Sequence, residues 1–153
     1  MSLLLPLLLP LACALTDGTP VDAPPAPEPA VEVRTDLDAL RTHIPVPDGV
    51  TAARWAGRPR GAIGLGPTDL ELLAYFPLDE EAWGRLAPSL GDPGEQGSFQ
   101  ADPTLLVVIP AAERDDTGVK GRRYPATAFE NIRWSATWAV RTEGGLAVHL
   151  FSR

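Results

Sequence analysis

The residues in this chain whose types can do chemistry are few: His43, His149, Cys13, a cationic run around Lys120, a short acidic run at Asp79, and four tryptophans. An imidazole titrates near neutrality and serves as base, acid or metal ligand. Neither histidine sits in a motif that would give it such a role. There is no G-x-S-x-G, no H-E-x-x-H and no second cysteine. No His/Cys/acid spacing matches a zinc site. The sequence therefore assigns no catalytic residue, no metal and no cofactor. An enzyme stays open only as an alternative, with an unrecognised site near His149 and the loop 113–123.

Lys120, Arg122 and Arg123, close to Arg114, are the anion-binding candidates. Guanidinium and ammonium groups so clustered suit a carboxylate, a sugar acid or a lipid head group. Glu113, Asp115 and Asp116 lie in the same segment, and a locally neutralised, solvated loop is the simpler account. Gly61, Gly64 and Gly66 imitate a phosphate cradle but lack both the GxGxxG order and a following Lys-Ser/Thr. Asp79, Glu80 and Glu81 suit the first turn of a helix, where acids complement the macrodipole. Trp55, Trp134 and Trp138 fall where core residues are expected, which favours packing over a sugar-binding groove.

Charge narrows the partners. The net charge is −7, yet residues 1–38 hold six acids against Arg34 alone, which leaves residues 39–153 at only −2. Phosphate binding needs a basic face, so no nucleic acid is expected. With one cysteine, no intramolecular disulfide forms and stability must come from packing.

The first 34 residues address location. Leu3–Leu15 is apolar, interrupted by Pro6 and Pro10, and too short to span a hydrocarbon core about 30 Å thick. It has the length of a signal-peptide core. Pro10-Leu11-Ala12-Cys13 resembles a bacterial lipobox, and the proline-rich stretch from Thr16 to Ala30 has the composition of an extended, disordered tether. In layout the chain resembles small uncharacterised bacterial lipoproteins. The resemblance implies acylation at Cys13, a membrane partner through that anchor, and a protein partner in the envelope. Cleavage after Ala14 is the alternative, giving a soluble periplasmic or secreted protein. The domains expected are a signal peptide at 1–13, a tether at 14–34 and one folded domain at 35–153. The role expected is a non-catalytic binding or structural module; an inhibitor or immunity-type protein is a further alternative.

Within the folded part, Thr35 caps a short helix that places Leu37, Leu40 and Ile44 on one face and ends at Pro45. Val50–Ala56 and Asp69–Leu78 read as strands, with 57–67 a loop between them. Asp79 caps a second helix expected to stop at Ala87 because Pro88 follows, and 88–103 reads as loop. Thr104–Ile109 is continuously apolar, as in a central strand, and Pro125–Asn131 holds one helical turn. Ile132–Arg141 and Leu146–Ser152 alternate around Gly144-Gly145, a hairpin with Trp134, Ala136, Trp138 and Val140 on one face. The fold class expected is α+β: a mostly antiparallel sheet of four to five strands with two short helices on one face. A small β-sandwich is the alternative.

Overall fold

The computed structural model describes residues 30–60 and 69–152. Cys13, the apolar run before it, most of the tether and the Gly61/Gly64/Gly66 segment lie outside the described residues. Among those described, no helix is long and apolar enough to cross a membrane.

Six strands form one antiparallel sheet: β1 (Arg54–Arg60), β2 (Asp69–Pro77), β3 (Gln96–Gln100), β4 (Gly118–Tyr124), β5 (Trp134–Arg141) and β6 (Gly145–Ser152). Their order across the sheet is β1-β2-β6-β5-β4-β3. The class is α+β as expected, with more strands than the sequence suggested. Two helices, α1 (Leu37–His43) and α2 (Glu80–Leu90), pack on the same face. Leu40 and Ile44 from α1, and Leu86 and Leu90 from α2, are buried there against Leu72, Ala74, Phe76, Leu146, Val148 and Leu150. Phe76 stacks on Phe129, which a 3₁₀ turn at Thr127–Phe129 delivers to the centre of this core.

Caps set the helix starts. The Asp36 carboxylate accepts from the amides of Asp38 and Ala39, so the cap of α1 is Asp36, not Thr35. Asp79 accepts from the amide of Ala82 at 2.7 Å, as expected. The helix it starts runs past Pro88 to Leu90. Proline there removes only the amide that would reach the carbonyl of Gly84, and burial of Leu86 and Leu90 on either side outweighs that loss. Gly91, at φ +88°, ends it.

The opposite face is covered without helices. Residues 104–109, expected as a central strand, form a capped turn and a 3₁₀ segment at Leu106–Val108. Asp102 explains the departure. Its carboxylate accepts from the amide and hydroxyl of Thr104, and its carbonyl accepts from the amides of Leu105 and Leu106. The chain is turned before a ladder can begin, and the apolar run covers the sheet with Leu105, Leu106, Val108 and Ile109. Val31 and Val33 pack on the same face, so the folded body starts earlier than the boundary at residue 35.

Two strands lie where loops were expected. Residues 96–100 form β3, and 118–124, the second half of the expected 113–123 loop, forms β4. The first strand is displaced to 54–60. The 132–152 hairpin is present, but a bulge between Ala136 and Trp138 changes its facing. Trp134 and Ala136 lie on the helix side, whereas Trp138 and Val140 join the opposite core.

Candidate functional site

Alternation along β1 puts Trp55, Gly57 and Pro59 on the helix face, opposite Ala74, Leu72 and Leu70 of β2. Trp55 is buried, with its indole N–H donating to the Asp36 carbonyl at 3.0 Å. Gly57 brings no side chain to that face, and a Cβ built there would meet nothing closer than the Glu71 carbonyl at 3.5 Å. The space so left opens as a cleft of about 220 Å³. Gly57 and Leu72 line its sheet side, Trp55 and Trp134 supply aromatic walls, and Glu32, Arg34 and His43 bring polar groups to it. The His43 ring lies 5.6 Å from Trp55 and 6.5 Å from Trp134, and is held there from behind by the Asn131 amide donating to the His43 carbonyl at 2.8 Å. Arg34 stacks over Trp55 at 5.2 Å and meets Glu32 only loosely, at 3.8 Å. An apolar recess with charged and hydrogen-bonding groups around it is the composition of a small-ligand site.

His149 is elsewhere. It projects from β6 onto the opposite face, 4% exposed, between Trp138 and Phe151 at ring distances of 5.0 and 4.7 Å. Its Nε2 meets the Glu71 carboxylate at 2.7 Å. Arg58 donates to the other Glu71 oxygen at 3.2 Å and reaches Asp102 at 2.7 Å. Burial pushes the imidazole below its ordinary value of 6.5, against the opposing pull of Glu71. The ring is accordingly neutral at pH 7, with Nε2–H donating to the Glu71 carboxylate, and Nδ1 buried without a hydrogen-bond partner. A base sealed in this way cannot reach a substrate. Its array joins β1, β2 and β6 to the 102–109 segment.

The anion-binding candidates separate. Lys120 and Arg122 alternate onto the helix face and border a cleft of about 460 Å³ with Gln96, Tyr124 and Arg141. Arg123 falls on the opposite face, its guanidinium donating to the Thr137 carbonyl at 3.1 Å. Arg141 is held by Glu80 at 2.8 Å, by the Gly145 carbonyl at 3.1 Å and by Trp83, over whose ring it lies. Glu113 and Glu143 border the same cleft, so the positive side chains do not dominate it. Arg122 and His149 lie on different faces of the sheet. Among the described residues no three His, Cys, Asp or Glu side chains gather as metal ligands.

A second carboxylate, half-buried, is structural. Glu113 accepts from the Tyr75 hydroxyl at 2.8 Å, the Thr142 hydroxyl at 2.5 Å and the Gly144 amide at 3.1 Å, which ties residues 111–113 to the β5–β6 turn. Burial first, and this carboxylate second, push the Tyr75 phenol up to about 12.

The residues of the 220 Å³ cleft come from five separated stretches of sequence, and sequence reasoning treated Gly57 as loop and Trp55 as core. The buried array carried one visible signal, an acid in the middle of the apolar run Leu70-Glu71-Leu72-Leu73. No protein-family model, curated protein or solved structure matches the chain.

Proposed function

We propose that this chain is an exported, lipid-anchored binding module that takes a compact apolar group, of the size of one or two fused rings, into the cleft beside Gly57. The observation that carries the reading is the cleft itself: an aromatic-walled recess with Glu32, Arg34 and His43 around it, in a molecule whose other histidine is sealed from solvent. An engineered apolar cavity of about 150 Å³ holds benzene, and 220 Å³ is about half as large again. Trp55 and Trp134 are only 3% and 5% exposed, which argues against an open stacking platform for a sugar and for an enclosed apolar guest. The apolar run ending at Cys13 and the proline-rich stretch after it support export and anchoring.

Indole serves as the probe. In NMR titrations of the full chain it should shift the indole N–H signals of Trp55 and Trp134 saturably. Gly57→Leu, whose backbone is ordinary strand and whose side chain enters the recess, should abolish the shifts while the amide signals of β3 and β4 keep their positions. Absence of saturable shifts, or shifts indifferent to Gly57→Leu, would remove the reading. For the anchor, detergent partitioning of wild type against Cys13→Ser should send only the wild type to the detergent phase. Equal recovery in the aqueous phase would sink lipidation.

A further inference from the structure

The sheet has two edges, and they are defended unequally. At β1, the outward amide and carbonyl of Trp55 are taken by Arg34, at 2.9 and 2.8 Å. Beyond them Pro59 has no amide, and Arg54, Arg58 and Arg60 put charge along the strand. These are the usual protections of a sheet edge. At β3 they are missing. Gln96-Gly97-Ser98-Phe99-Gln100 contains no charge, no proline and no bulge, and is exposed at every residue but Phe99.

The direction of the β3 backbone groups follows from its pairing. The Ala101 amide donates to Thr117 at 3.2 Å, and the Arg123 amide to the Glu95 carbonyl at 2.9 Å. In an antiparallel ladder such inward pairs alternate. Gly97 and Phe99 therefore turn their amides and carbonyls toward β4, and Gln96, Ser98 and Gln100 turn theirs away from β4. The Gln100 carbonyl accepts from the Trp138 indole at 3.2 Å, which leaves it one lone pair.

We infer that β3 is a strand-addition site, and that its occupant is β3 of a second copy of this chain, antiparallel across a two-fold axis at Ser98. That register is self-complementary. Ser98 faces Ser98 and Gln96 faces Gln100, so the outward amides and carbonyls of all three residues meet partners at once. Off the ladder, Gly97 faces Phe99 and the flanking Glu95 faces Ala101, so no like charges oppose each other directly. An isologous contact of this kind closes on itself and joins two sheets into one. It involves neither the Gly57 cleft nor the Cys13 anchor, and stands or falls without them.

Cysteine cross-linking reads the register. In the full chain carrying Cys13→Ser, Ser98→Cys places two thiols across the axis, with Cα atoms about 5.5 Å apart, inside the range a disulfide accepts. Mild oxidation should convert it to a covalent dimer. Gln96→Cys faces a glutamine and Lys120→Cys lies one strand back, and both should stay monomeric under the same oxidation. Monomeric Ser98→Cys, or equal cross-linking of all three, overturns the proposal. Sedimentation of the unoxidised full chain in nonionic detergent gives a second test that does not need the cysteine variants. Ser98→Pro deletes an outward amide and should shift association to at least tenfold higher protein concentration. Ser98→Ala, which loses only the hydroxyl bond to Asp115, should match wild type. Equal association of the proline and alanine variants would also overturn it.

Discussion

The helix face of the sheet is covered by α1 and α2, while the opposite face is covered by residues 101–114, which form little regular structure. A helix satisfies its own backbone and needs only an apolar stripe to dock. An irregular segment must have its carbonyls and amides met by side chains. The opposite face accordingly carries the polar fastenings. Arg54 donates to the Val107 carbonyl at 3.0 Å and Arg114 to the Ile109 carbonyl at 3.2 Å, while Arg58 links Asp102 to Glu71. Among the described residues the buried core of the helix face holds no such array, its Arg141–Glu80 pair lying at the rim. It can therefore leave a recess at Gly57 unfilled and open to solvent, whereas a gap around His149 would expose a buried ionic network. Packing on one face and polar fastening on the other should respond differently to mutation and to pH.

The largest expected effect is on the helix face. Phe129→Ala removes the partner stacked on Phe76 and should lower the unfolding free energy by about 4 kcal/mol, with an unchanged pH dependence, measured by urea denaturation. Next is Glu71→Ala, which leaves the His149 Nε2–H without its buried acceptor and Arg58 with Asp102 alone, and should cost about 3 kcal/mol. If Glu71→Ala proved neutral, the fastening account of that face would fail.

A smaller effect separates the faces by pH. His149 has a depressed folded-state pKa, so below its ordinary value of 6.5 the unfolded chain takes up a proton that the folded chain refuses. Stability should be fully present above that value and decline as the pH falls from 6.5 toward the folded pKa. His149→Gln should flatten this part of the profile, and Phe129→Ala should not. The smallest is the cap of α1: Asp36→Ala should cost about 1 kcal/mol by the same denaturation assay, with indole binding retained.

How much of this could be read from the sequence follows the same division. The hairpin of β5 and β6 was legible because its strands alternate and its turn carries Gly144-Gly145, but the bulge that sends Trp134 and Trp138 to opposite faces leaves no trace in an alternating pattern. The 104–109 run misled because continuous apolarity does not distinguish a central strand from a capped turn buried from all sides, and the deciding residue, Asp102, lies outside the run. β3 was invisible for the converse reason: an exposed edge strand needs no apolar alternation, and a glycine-containing polar stretch looks like a loop. The cleft was beyond reach, since it exists only where Gly57, Leu72 and Trp134 are brought together by pairing across the sheet.

The contrast between an open recess and a sealed network can be tested in one experiment, because the chain has only two histidines and one lies in each place. Diethyl pyrocarbonate modification of the folded full chain, read by peptide mass spectrometry, should label exposed His43 rapidly and leave His149 unmodified, with indole slowing His43 alone. Labelling of His149 at a rate equal to or above that of His43, or a His43 rate untouched by saturating indole, would contradict the account.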